Sequence, residues 1–222
     1  MTGWTAIVPA KRWMLSKSRI EVGAAERAGL ARAFAIDVLD VLDAAEAVEL
    51  VIVVTGEPEL AALARRLGHV VLEDRVALLS VDPLNDAVRR GRSWARAARP
   101  GAPVVVVPTD LPSLDPPALT QALEAMALPG SSYVPDSSGT GTTLLAASSP
   151  DLLEPRYGVD SARRHARAGV RAVIEVDPVV RRDVDTLQHL EQALRLGLGP
   201  ETTRVARAAL REVSVPLSAS RR

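Results

Sequence analysis

Cysteine is absent from all 222 residues, which excludes both a disulfide framework and a thiolate metal site. Excess charge of either sign is absent too, since 27 basic side chains are matched by 27 acidic ones. That balance argues against a general nucleic-acid-binding face or a polybasic membrane patch, while leaving room for a local phosphate pocket. Long apolar runs are missing. No stretch approaches membrane-spanning length and no signal-peptide-like run opens the chain, so a soluble, cytoplasmic protein is expected. The three histidines, His69, His165 and His189, lie too far apart to suggest zinc ligation by local spacing. Linkers, low-complexity segments and internal repeats are lacking as well. With this length, one large domain over residues 1–212 is expected, followed by a polar, disordered tail at 213–222.

What is present centres on Val104–Pro112. Four consecutive valines bounded by Pro103 and Pro108 read as a strand buried on both faces, the pattern of a central parallel strand. Two residues past Pro108 stands Asp110. In open α/β sheets, ligands bind beyond the carboxyl ends of strands, so Asp110 is a candidate metal or substrate ligand. Its alternative duty would be as a turn residue or helix cap, but Asp115-Pro116 already supplies a cap and first-turn proline for the next helix.

Upstream, Thr5–Pro9 reads as a strand running into a loop that carries Lys11, Arg12, Lys17 and Arg19. The loop has no glycine and is neither a Walker loop nor a dinucleotide fingerprint. Its cations suit a polyphosphate, although a solvated basic loop would look the same. Helical spacing over Ala24–Val48 puts Leu30, Phe34, Val38, Val41, Leu42 and Ala45 in the core. Leu50–Thr55 and Val70–Leu72 read as strands, with a helix over Glu57–Leu67 closed by Gly68. An arginine-rich helix opens at Leu84-Asn85, where Asn85 either caps it or contacts a base or ribose. After the valine strand, a helix over Pro116–Leu128 completes four β-α units. That alternation calls for a parallel sheet with helices on both faces.

The second half departs from it. Ser132–Pro135 reads as a strand, and Thr143–Ala147 as its return, the antiparallel member of a mixed sheet. Between them, residues 136–143 place two glycines among hydroxyls, a path whose N–H groups and hydroxyls can surround an anion. Tyr157-Gly-Val-Asp-Ser161 opens a helix over Ala162–Ala168, with Asp160 or Ser161 at its cap and its start a natural anion site. His165 and the arginines at 163, 164 and 167 read as that helix's solvated face. Val173–Val176 reads as a late strand. Asp183 and Asp185, at i and i+2 in an extended segment, would point the same way, as two ligands of a hard cation must. Thr186 is expected to cap a helix over Leu187–Leu196.

Taken in order, Pro9-Ala-Lys-Arg with Lys17-Ser-Arg, Thr109-Asp-Leu-Pro, Pro135-Asp with Gly139-Thr-Gly-Thr, Tyr157-Gly with Ser161 and Arg164-His165, and Asp183-Val-Asp-Thr form one pattern. Over about residues 5–200 the chain resembles the 2-phospho-L-lactate/phosphoenolpyruvate guanylyltransferases of coenzyme F-420 biosynthesis. The resemblance implies a three-layer α/β/α nucleotidyltransferase fold, like the nucleotide-diphospho-sugar transferases, with a mostly parallel mixed central sheet. It implies magnesium on Asp110, Asp183 and Asp185. It implies that Thr142, Gly158 and Ser161 hold a phosphorylated three-carbon acid, phosphoenolpyruvate or 2-phospho-L-lactate, and that Lys11, Lys17 and Arg19 meet the GTP phosphates; Asn85, read above from its position, is the further nucleotide-binding candidate. Asp110, Lys11 and Lys17 are the expected catalytic groups, and a homodimer is compatible with the family.

Three positions depart from the pattern. Thr143 stands where asparagine is frequent, Ser137 where arginine is, and Leu187-Gln-His where Pro-x-Asp/Glu is common. The first two border the acid-binding loop, so they bear on acceptor identity. The rival expectations are a nucleotidyltransferase acting on a sugar phosphate or molybdopterin, and a nucleotide-binding module without catalysis.

Overall fold

The computed structural model describes residues 3–15, 20–74 and 80–213, leaving aside the side chains of Leu15 and 208–213. The expectations for Lys17, Arg19 and the tail at 214–222 lie outside these residues.

The valine-rich runs form the sheet. Its strands are β1 (Trp4–Ala10), β2 (Val48–Thr55), β3 (Val70–Glu73), β4 (Val104–Val106), β5 (Ser131–Pro135), β6 (Thr142–Ala147) and β7 (Arg171–Ala172). Among the described residues they make one seven-stranded sheet in the order β3-β2-β1-β4-β6-β5-β7. All neighbours pair parallel except those of β6, which runs against both β4 and β5. The expected mixed sheet with one antiparallel member is therefore the observed one.

Helices α1 (Ala24–Ala44), α2 (Pro58–Arg66), α3 (Pro83–Ala98) and α4 (Pro116–Met126) follow the first four strands, and α5 (Ser161–Arg167), α6 (Pro178–Arg181), α7 (Leu187–Leu196) and α8 (Pro200–Val213) complete the chain. Strand alternation divides the core in two. Ala6, Val8, Val51, Val53, Val105 and Val107 pack with residues of α1, α2, α4 and α6 on one face. Ile7, Ile52, Val54, Val104 and Val106 turn to the other, against Ala87, Val88 and Ala95 of α3 and Ala162 of α5. That is the expected three-layer arrangement. The close approach of α3 to β1 needs Gly91, where an added Cβ would stand 2.5 Å from Ile7 Cγ2.

Three expectations need correction. The late strand is Arg171–Ala172, not Val173–Val176. Val173 still donates its N–H to the Tyr133 carbonyl at 2.8 Å, but the chain then leaves the sheet and Ile174 is exposed. The short helix α6 was not anticipated, and neither was α8. The latter is fixed by a remote cap: Asp37, buried in the middle of α1, accepts from the N–H groups of Glu201 (3.0 Å) and Thr202 (2.8 Å). A third cluster, with Leu30 and Phe34 of α1, Leu190 and Ala193 of α7, Ala206 of α8 and Val184, seals this end.

Candidate active site

The carboxyl ends of β1 and β4 open on one edge of the sheet, and because β6 runs against β4 its first residue, Thr142, lies at that same edge. Asp110 follows β4 in the turn 107–114. Asp115 does cap α4, accepting from the Ala118 N–H at 2.8 Å, so Asp110 is relieved of that duty as expected.

Long-range bonds pin the turn from outside. The Val184 N–H donates to the Asp110 carbonyl at 3.0 Å, and the Gly199 N–H to the Pro112 carbonyl at 2.9 Å. The Ser113 hydroxyl donates to the Ala193 carbonyl at 3.1 Å. Val184 is wholly buried and anchors its segment, while Asp183 and Asp185 on either side of it are half-buried. The Asp110 turn and the Asp183–Asp185 segment are thus adjacent. Carboxylate oxygens are the donor type a hard divalent cation takes. Among the described residues, however, no three acidic or imidazole side chains are preassembled as a metal site.

On the other side of the edge, the loop between β5 and β6 is organised by Asp136. Its Oδ1 accepts from the Ser138 hydroxyl (2.9 Å) and the Thr140 N–H (3.0 Å), and its carbonyl accepts from the Gly139 N–H at 3.0 Å. A Cβ at Gly141 would stand 2.4 Å from Asp136 Oδ2 and displace the carboxylate that organises the loop. Arg181 donates to the carbonyls of Pro135 (3.1 Å) and Asp136 (2.9 Å). The Asp136 and Ser137 N–H groups are also used, toward Gly141 and Arg181 carbonyls. Of the N–H groups in the expected anion-binding path, those of Asp136, Ser137, Gly139 and Thr140 are spent inside the protein.

What the loop delivers is Thr142. The Ser161 hydroxyl donates to Thr142 Oγ1 at 3.2 Å, and His165 Nδ1 lies 3.0 Å from the same oxygen. His165 is fully buried, not part of a solvated helix face. Its Nε2 accepts from the Arg156 N–H at 3.1 Å, and its ring stacks edge-on to Tyr157 with centroids 5.7 Å apart. Burial above all, with the charge of Arg156, lowers its pKa from the ordinary 6.5 to about 4, so the ring is neutral. Local sequence reads its place as solvated because the partners that bury it come from two other segments.

Gly158 adopts φ +117°, a conformation that strains any side chain, and Asp160 holds φ 54°. Asp160 occupies the cap position of α5 without a side-chain cap bond. The segment is clamped by Asn85, whose Oδ1 accepts from the Tyr157 N–H (2.8 Å) and whose Nδ2 donates to the Tyr157 carbonyl (3.1 Å). Nδ2 also donates to Asp82 at 2.8 Å. Expected to cap a helix or meet a base or ribose, Asn85 instead has its amide committed to holding Tyr157-Gly158. The Tyr157 hydroxyl is buried with no partner among the described residues. Burial and the charge of Asp110 raise its pKa, so it stays protonated. Lys11 is exposed in the loop after β1.

An edge with two carboxylate-bearing segments on one side and a hydroxyl pair on the other suits the joining of two phosphorylated molecules. The model of the family described as "Guanylyl transferase CofC like" matches residues 4–215. The chain belongs to this family. As a CofC-like protein it is an enzyme, a nucleotidyltransferase. A phosphoenolpyruvate guanylyltransferase from Streptomyces scabiei is 41% identical over 209 residues, covering 91% of this chain and 95% of that one. Another from Salinispora arenicola is 40% identical over 203 residues, covering 90% and 91%. In fold, the CofC-like chain is similar to a crystal structure from Desulfovibrio desulfuricans G20 placed among the nucleotide-diphospho-sugar transferases. That match has a TM-score of 0.70 at 18% identity and covers 96% of this chain and 98% of the other.

Proposed function

We propose that this chain transfers GMP from GTP to phosphoenolpyruvate, with release of pyrophosphate, in the cytoplasmic synthesis of coenzyme F-420. Relatives matched over nine-tenths of this chain and of their own length, at about 40% identity, carry the name phosphoenolpyruvate guanylyltransferase, which favours that acid over 2-phospho-L-lactate. The observation that carries the reading is the seam at the sheet edge, where the Val184–Asp110 bond joins two carboxylate-bearing segments beside the Thr142–Ser161 hydroxyl pair.

In this reading a phosphate oxygen of the acid attacks the α-phosphorus of GTP in line. The new P–O bond forms as the bond to the β-phosphate bridging oxygen breaks, and pyrophosphate leaves with that electron pair. Such chemistry needs positioning and neutralisation of charge more than a protein nucleophile or base. Thr142, Gly158 and Ser161 hold the acid. Asn85 serves by fixing the Tyr157-Gly158 backbone, and the partnerless Tyr157 hydroxyl offers a buried donor close to the charge of Asp110. Lys11, Lys17 and Arg19 meet the GTP phosphates and stabilise charge on the leaving group. Asp110, Asp183 and Asp185 would hold a divalent cation, magnesium in our reading. When bound, such an ion offsets repulsion between the two anions and polarises the α-phosphate.

The test is incubation with GTP, magnesium and each of phosphoenolpyruvate, 2-phospho-L-lactate, a sugar phosphate and molybdopterin, with product masses recorded. Pyrophosphate release and a GMP adduct with phosphoenolpyruvate are expected. An adduct only with a sugar phosphate or molybdopterin, or no turnover at all, would overturn the reading.

A further inference from the structure

His165 is the buried polar group of this region for which the transfer chemistry above has no use. Its surroundings fix where its proton sits. A main-chain N–H can only donate, so the bond from Arg156 to Nε2 requires that nitrogen to be bare. A neutral imidazole then carries its hydrogen on Nδ1, the nitrogen 3.0 Å from Thr142 Oγ1. The Ser161 hydroxyl donates to Thr142 Oγ1 as well. Thr142 therefore has no acceptor among these neighbours for its own hydroxyl hydrogen, and it is the partly exposed member of the trio, Ser161 and His165 being buried.

We infer that His165 is a positioning residue that makes Thr142 an obligate hydrogen-bond donor, so that the acid subsite selects a fully ionised oxyanion. The donor relay runs inward to outward, from the Arg156 N–H through the imidazole to the Thr142 hydroxyl and on to a carboxylate or phosphate oxygen of the substrate. A ligand presenting a hydroxyl or amide hydrogen there meets a second hydrogen and is rejected. This inference rests on the reading that Thr142 and Ser161 hold the acid.

Two substitutions separate the ends of the ring. His165→Asn keeps an amide donor near the Nδ1 position and loses the acceptor for Arg156. His165→Gln keeps an acceptor near the Nε2 position and loses the donor to Thr142. With GTP and phosphoenolpyruvate, the Gln variant is expected to raise the acid KM by roughly tenfold or more, as befits a hydrogen bond to a charged group, with the KM for GTP unchanged. The Asn variant should raise the acid KM far less. Equal rises for both substrates, or equal effects of both variants, would reduce His165 to a structural role and overturn the inference. Nitrogen-15 NMR of the unsubstituted protein reads the tautomer without any activity: an Nδ1-bound hydrogen is expected, and an Nε2-bound one would overturn the inference even if neither variant folds. Thr142→Ala tells the two readings apart. An unchanged acid KM there removes the acid from Thr142, whereas a raised one alongside a harmless His165→Gln removes only the relay.

Discussion

The N–H of Val184 donates to the carbonyl of Asp110 across 74 positions of sequence at 3.0 Å. Because the bond uses main chain on both sides, it does not depend on the aspartate side chains and survives their substitution. Asp110→Asn should therefore remain folded while losing turnover by roughly a hundred- to a thousand-fold, the usual cost of one preorganised electrostatic contact in a transition state. Pyrophosphate release from GTP plus phosphoenolpyruvate measures the first outcome and the thermal midpoint the second. A folded variant with near-normal turnover would remove Asp110 from the chemistry.

Asp37 ties the C-terminal helix to the middle of α1 and, through the Gly199–Pro112 bond, to the Asp110 turn. Asp37→Ala leaves the Glu201 and Thr202 N–H groups without their carboxylate. A loss of about 1–3 kcal/mol in unfolding free energy is expected, a capping loss deepened by burial. Urea denaturation measures it. The two N–H groups use different carboxylate oxygens, so Asp37→Asn keeps one acceptor and sets its amide hydrogens against the other N–H; it too should destabilise, and an unchanged midpoint in Asp37→Asn would mean that packing against Gly199, not the cap, is what matters.

Much of this architecture is legible in the sequence because its causes are local. Buried valine runs mark β2 and β4, and Asp115-Pro116 starts α4. What escaped has distant causes. The anchor of α8 lies in α1, so its capping cannot be read within Pro200–Val213. Val176 keeps contact with the core without joining the sheet, so the apolar pattern at Val173–Val176 extends beyond the hydrogen bonding it was taken to report. His165 sits in an Arg-Arg-His-Ala-Arg run that reads as surface, and only the arrival of Thr142 and Arg156 from elsewhere in the chain buries it usefully.

Gly91 sets helix preference against packing. Alanine there gains about 1 kcal/mol of intrinsic helix propensity over glycine. Its Cβ would stand 2.5 Å from Ile7 Cγ2 in the central strand, and overpacking a dense core costs about 1–3 kcal/mol or more. Packing is expected to win, so Gly91→Ala should lower the denaturation midpoint. A raised midpoint would show that α3 can slide off β1 at little cost.

The lowered pKa of His165 makes stability depend on pH in a defined window. The groups bearing on its ring are the charges of Arg156 and Arg164, which disfavour protonation, and the Ser161 carbonyl, which favours it; burial outweighs all three. Tyr133 and Tyr157 face it as neutral rings. The unfolded chain takes up a proton on this imidazole below about pH 6.5, while the folded chain does not until about pH 4. Stability is therefore fully present above pH 6.5 and falls as the pH drops toward 4. The contribution is on the order of 3 kcal/mol, from 1.36 kcal/mol per pH unit across that gap. His165→Asn, which cannot titrate, should flatten this part of the curve whatever it does to absolute stability. Urea unfolding at pH 7 and at pH 4.5 measures the two slopes, and because the other titrating groups are common to both proteins, the difference isolates His165. Identical slopes would mean that the folded protein opens to let the ring protonate.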